Sequence, residues 1–165
     1  MPVQSLKHKF AFAAALFAGL AFQTVGASAE GPFASLAGSW AGSGTISMNS
    51  GTHERIRCRG TYDVSQGGDT LTQSLLCASD SYKFDVQSTV SEQGGAISGN
   101  WTETTRNASG TVSGQIRGPV IQVLVTGVGF TAGISIATRG RTQSVAIRPS
   151  GGTDVAGVIV TLHRI

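Results

Sequence analysis

RIRCRGTYDVSQGGDTLTQSLLC, residues 55–77, decides how this chain folds. Between Arg55 and Val64 the side chains alternate: Ile56, Cys58, Gly60, Tyr62 and Val64 share one face, Arg55, Arg57, Arg59, Thr61 and Asp63 the other. A period of two is the mark of a half-buried strand. Residues 69–77 alternate in the same way, with Leu71, Gln73, Leu75 and Cys77 together. Between the two runs, Gly67-Gly68 supplies the positive φ angles of a tight hairpin, with a loop of two or four residues. Folding about it pairs Val64 with Leu71, Tyr62 with Gln73, Gly60 with Leu75 and Cys58 with Cys77, so the apolar faces coincide. Opposed residues of an antiparallel pair have Cα atoms about 4.5–5.5 Å apart, within the reach of a disulfide. The register therefore predicts a Cys58–Cys77 bond worth roughly 3 kcal/mol in the chain-entropy account. A redox-active pair is not the reading, because CxxC spacing is absent and both sulfurs face inward.

A disulfide belongs to an oxidising compartment, and the N-terminus carries a matching address. Lys7, His8 and Lys9 precede an apolar run from Phe10 to Phe22, and Ala27-Ser28-Ala29 offers a small-x-small cleavage site. The run is too short to span a bilayer comfortably. With no cysteine at the cut, a lipid anchor is not expected either. Residues 1–29 read as a signal peptide, 30–37 as a flexible lead-in, and 38–165 as a single β-barrel domain. The protein is expected to be periplasmic or secreted, in a bacterial host. The formal charge of +3 includes Lys7 and Lys9, so cleavage leaves +1. Nucleic acid is therefore not an expected partner.

Beyond the hairpin the same alternation continues, and no window shows a helical period. Strands are expected near 38–48, 54–64, 69–78, 81–91, 96–106, 109–117, 119–126, 129–139, 141–149 and 155–164. Links such as 92–95, Gly118-Pro119 and Arg139-Gly140-Arg141 are short enough to force antiparallel neighbours. The reading is all-β: an up-and-down antiparallel barrel of about 8–10 strands, because closure removes the two sticky edges of an open meander.

The first of these strands opens with Gly38-Ser39-Trp40 and the last ends with Arg164. In this the chain resembles the calycins, the lipocalin, fatty-acid-binding and avidin type of barrel. The resemblance implies Arg164 stacked across Trp40 to close one barrel end. The loop motif and C-terminal helix of lipocalins are not present, and no biotin contact is carried over.

Candidate ligand contacts come from the inward faces: Tyr62, Gln73, Phe84, Trp101, Glu103 and Phe130. Pairing Val90 with Ile97 about Gln93-Gly94 places Val86 opposite Trp101 and Phe84 opposite Glu103. Glu103 then becomes the one carboxylate aimed inward, to be met by a ligand donor or by a nearby arginine. Tyr62 and Gln73 form a second polar pair, for a ligand or for each other. Segment 119–126 carries apolar residues on both faces and is the expected self-association surface. Arg55, Arg57 and Arg59 form an outward stripe, suited to an anionic polymer such as lipopolysaccharide phosphates. Glu54 and Asp63 flank that stripe, so the plainer reading is a solvated face.

Catalytic signatures are missing from the sequence. His53 and His163 stand alone, and neither a nucleophile elbow, an HExxH nor a phosphate loop occurs. No metal and no cofactor are expected. The leading expectation is a non-catalytic binding protein for a small apolar ligand inside the barrel. The alternatives are a ligand-free envelope protein acting through its loops and surface, and an outer-membrane barrel.

Overall fold

Ten antiparallel strands close into a barrel in the structure, a computed structural model that describes residues 30–165. The expected signal peptide lies outside the described residues. The strands are β1 (Gly38–Met48), β2 (His53–Val64), β3 (Thr70–Ala78), β4 (Lys83–Gln93), β5 (Ala96–Glu103), β6 (Ala108–Arg117), β7 (Val120–Gly127), β8 (Phe130–Arg139), β9 (Thr142–Ser150) and β10 (Val155–Arg164). Each pairs with its neighbours in sequence, and β1 also pairs with β10, placing Trp40 opposite Arg164. Closure is tight there: a Cβ at Gly44 would collide with the carbonyl of Ile159 on β10, so glycine lets the two strands approach.

The stapled hairpin has the register read from its sequence. Val64 faces Leu71, Tyr62 faces Gln73, Gly60 faces Leu75 and Cys58 faces Cys77. A disulfide joins the last pair, whose Cα atoms are 4.1 Å apart. The Ser65 N–H donates to the Thr70 carbonyl at 2.9 Å, which makes the loop the longer, four-residue kind.

The next hairpin but one corrects the sequence reading by two residues. Val90 faces Gly99 rather than Ile97, and Val86 rather than Phe84 faces Glu103. The turn sits on Gly94-Gly95, at φ 61° and 86°, one position later than Gln93-Gly94. A shift of two keeps every side chain on its own face, so alternation alone cannot detect it. Strand β5 also stops at Glu103, three residues earlier than expected.

Residues 30–37 are a further correction. Instead of a loose lead-in they form a plug across the barrel end where β1 begins. The Gly31 and Phe33 amides each donate at 2.9 Å to the carbonyls of Gly67 and Gly68, in the stapled hairpin's own turn. A 3-10 turn, Ala34–Leu36, follows. Phe33 and Leu36 are buried, and the Leu36 carbonyl accepts the Trp40 indole N–H at 2.8 Å. Apolar burial of two large side chains, with the local amides satisfied, is what orders so short a segment.

The outward wall is polar. Arg55, Arg57, Arg59 and Thr61 on β2, Thr72 and Ser74 on β3, Gln87 and Thr89 on β4, and Asn100 and Thr102 on β5 are all exposed. A barrel that spans a membrane presents an apolar outer band, so this wall corrects the outer-membrane reading. No helix among the described residues is long and apolar enough to cross a membrane. Strand β7 is not an edge, since β6 and β8 pair with both its sides. Ile121 and Val123 pack toward the core, leaving Leu124 as its one exposed large apolar side chain, beside Gln122 and Thr126. Backbone pairing with another molecule is thus closed to the 119–126 segment.

Candidate functional site

Inward side chains of the barrel fall into two sets. On β1, β2 and β10, Trp40, Ile46, Ile56 and Leu162 are at most 1% exposed. Along β4, β7, β8 and β9, Val86, Val123, Ile134, Val145 and Ile147 face inward from mid-strand yet are only half-buried. Val123, Val145 and Ile147 are partly buried against the core cluster, of which Val86 and Ile134 are not part. These five side chains are the lining of the candidate site, and their chemistry is aliphatic; between them Ile97, Val112 and Ala132 are buried.

The plugged end is sealed by aromatic and polar contacts together. Trp40 stacks on Tyr62 with ring centroids 6.0 Å apart. The Arg164 guanidinium lies 5.0 Å from the Trp40 ring, and the same group donates to the Ser35 carbonyl. Tyr62 does not bond to Gln73, although the two stand opposite each other. Its hydroxyl donates instead to Oε1 of Gln143 at 2.9 Å, across the barrel on β9. Gln143, 1% exposed, passes the chain on by donating from Nε2 to the Thr138 hydroxyl at 3.2 Å. Burial pushes the Tyr62 phenol up to about 12. Gln143 was missed in the sequence because its partner lies 81 residues away.

Phe84, Trp101, Glu103 and Phe130 gather at the other end. One cross-strand row, Tyr62–Gln73–Ser88–Trp101–Gly110–Gly127–Phe130, connects the two groups. Strand tilt carries that row from one end of the barrel to the other. The six expected ligand contacts are thus divided, with Tyr62 at the plugged end and Phe130 at the opposite one. Trp101 lies against the wall where glycine makes room: a Cβ on Gly127 would come within 2.9 Å of the indole. Its Nε1 donates to the Thr126 carbonyl at 3.3 Å, and Phe130 meets it edge-on at 6.1 Å. Phe84 stacks on Tyr82 at 6.2 Å and carries the Arg106 guanidinium 4.9 Å above its ring.

Glu103 is buried, 5% exposed, but it does not wait for a ligand. Its carboxylate accepts the Asp85 N–H at 3.0 Å, the Arg106 N–H at 2.8 Å, the Thr105 N–H at 3.2 Å and the Thr105 hydroxyl. Arg106 Nη1 lies 3.8 Å away. Burial alone would raise this carboxyl, and the hydrogen bonds outweigh it, so it sits below the ordinary carboxylate range. The residue shapes the 104–107 turn, in which Asn107 takes a positive φ of 52°. Backbone amides and the Thr105 hydroxyl hold the carboxylate, with the exposed Arg106 guanidinium alongside.

What remains for a guest is mainly apolar surface, since Tyr62, Glu103 and Gln143 have partners inside the protein and the buried Arg164 Nε alone, among the described side-chain atoms, has none. Among the described residues, no three His, Cys, Asp or Glu side chains gather as a metal site.

The chain is similar in structure to Rv2717c from M. tuberculosis, with a TM-score of 0.60 at 15% identity, covering 80% of this chain and 94% of that one. The two share a fold. At that identity the likeness extends no further. No protein-family model matches the chain, and no curated protein matches it.

Proposed function

We propose that this protein is an exported, non-enzymatic carrier that holds a small apolar molecule inside a calycin-like barrel. One observation carries the reading: the inward Val86, Val123, Ile134, Val145 and Ile147 of β4, β7, β8 and β9 are half-buried at mid-strand, while Trp40 and Leu162 are at most 1% exposed. Burying apolar area there with a guest contributes about 25 cal/mol per Å² before the cost of immobilising it. The Cys58–Cys77 disulfide, which belongs to an oxidising environment, and the signal read at residues 1–29 support export to the periplasm or beyond the cell.

The guest has few polar groups. Glu103, Tyr62 and Gln143 are already satisfied, so a donor or acceptor on the ligand would enter unpartnered at a cost of about 1–3 kcal/mol. The rim aromatics Phe84 and Phe130 are half-buried and offer stacking surface at the entrance.

The test is native mass spectrometry on mature protein recovered without detergent, followed by denaturing extraction. A stoichiometric small molecule of low polarity is expected, and Ile134→Trp, which fills the space, should abolish it. A bare mass in the wild type, together with no displacement of an apolar fluorescent probe, would sink the carrier reading. A scaffold acting through its surface would then take its place, a reading favoured by the internal pairing of Tyr62, Glu103 and Gln143.

A further inference from the structure

We propose that the outer wall made by β10, β1, β2 and β3 docks on an anionic membrane surface by engaging phosphate-bearing lipid headgroups. Arg55, Arg57 and Arg59 project from alternate positions of β2, about 7 Å apart, and all are exposed. Among the described residues the one ion pair is Arg106–Glu103, so these three guanidinium groups have no carboxylate partner. Arg55 makes a single 3.4 Å contact to the Ser43 hydroxyl.

Placement in the sheet removes the reason for reading the stripe as a plain solvated face. Strands β1, β3 and β10 contain no acidic residue. Of the two acids on β2, Glu54 is turned toward the Ser81 N–H at 3.1 Å, and Asp63 stands beyond Thr61 at the far end. Of the ten Lys and Arg among residues 30–165, three stand in this row, and the neighbouring strands carry no acid to offset them.

Apolar side chains decide between a lipid surface and a soluble polyanion. Leu76 on β3 is 44% exposed and faces Arg59 across the ladder. Ile159 on β10, 67% exposed, faces Thr45, whose other neighbour is Arg55. The arginine row is thus flanked on both sides by exposed aliphatic groups, and a shallow depression opens between Arg57 and Arg59 beside Ala41, Leu76 and Ala78. Guanidinium groups take phosphate oxygens bidentately. Flanking aliphatics gain by entering the headgroup boundary, whereas a dissolved polyanion offers them nothing. With three cations the attachment is weak, reversible and screened by salt.

Sedimentation with vesicles tests this, comparing phosphatidylcholine alone with phosphatidylcholine mixed with phosphatidylglycerol, at low and high salt. The protein should pellet only with the mixed vesicles and be released by salt. Arg57→Gln/Arg59→Gln should weaken binding about fivefold per arginine removed. Arg117→Gln/Arg139→Gln, an equal loss of charge at the strand ends, should leave it unchanged. Leu76→Ser/Ile159→Ser should weaken binding to vesicles but not to dextran sulfate. All these positions point outward and are exposed, so unaltered melting curves will show that the fold is intact. No pelleting at low salt, equal pelleting with both vesicle types, or equal losses in the two arginine pairs would each overturn the proposal. So would Leu76→Ser/Ile159→Ser binding vesicles as the wild type does, which would mark the wall as a site for any polyanion. Neither result bears on the interior.

Discussion

Two regions of one barrel bury their apolar residues in different ways. Around Trp40 the inner face of β10, β1 and β2 is packed against a plug that enters from the chain's own N-terminal segment, so Trp40, Phe33 and Leu162 are at most 1% exposed. Along β4, β7, β8 and β9 the inward Val86, Val123, Ile134 and Ile147 are of the same chemical kind, yet nothing covers them fully. Composition does not separate the two walls. Supply of a partner does: the first has Phe33, Leu36 and Trp40 to fill it, while the second keeps its rings, Phe84, Trp101 and Phe130, at the far end of the barrel. Stability and the capacity to hold a guest are therefore assigned to different parts of one sheet.

The strongest way to break this comparison is to truncate one large ring in each region. Trp40→Ala should cost about 3–5 kcal/mol in urea denaturation, and Phe130→Ala clearly less, because its ring is only half-buried. Equal costs would mean that both ends are cores. Removing the staple with Cys58→Ser/Cys77→Ser should come next, at about 3 kcal/mol. If the doubly substituted protein melts like the wild type, the hairpin contributes no constraint to the packed side.

Enlarging a side chain sharpens the contrast further. Ile56→Phe should lose about 1–3 kcal/mol through overpacking, whereas Ile134→Phe, at a half-buried position outside the core cluster, should cost less. Tyr62→Phe should cost about 1 kcal/mol by leaving Gln143 Oε1 without its donor. That phenol's value is raised in the fold, so its contribution is present below pH 10 and is lost as pH climbs toward about 12. In Tyr62→Phe the alkaline limb of the stability curve should accordingly flatten.

The smallest effect expected is at Glu103. Its carboxyl is lowered in the fold, so the stabilisation it gives is complete above the ordinary carboxylate value of 4.5 and fades as pH falls through the lowered one. Glu103→Gln should shallow the acid limb of a melting-temperature profile between pH 5 and 3, and an unchanged limb would contradict the hydrogen-bond account.

Legibility in the sequence followed the number of independent constraints on each element. The 55–77 hairpin was readable because a Gly-Gly turn, two alternating faces and two cysteines all demand one register. Ten strands were readable from alternation and turn residues, and closure from the cost of edges. The β4–β5 pairing was not, because only the turn fixes it and Gln93-Gly94 and Gly94-Gly95 both satisfy the faces. Glu103's burial was anticipated; its partners depend on a turn whose shape the alternation does not encode. Phe33-Ala34-Ser35-Leu36 is too short to show any period, and its anchorage on Gly67 and Gly68 is a contact between segments that no local pattern announces.

The partnership of β1 with β10 also sets an order of events in time. Trp40 emerges early in synthesis, but the strand that completes its surroundings is separated from it by the rest of the domain. Local hairpins such as 55–77 close quickly, while a contact spanning most of the chain bears the largest loop-closure entropy and forms late. Until Val155–Arg164 is delivered, β1 and β9 each wait with one edge unpaired, and a chaperone would meet the protein in that state.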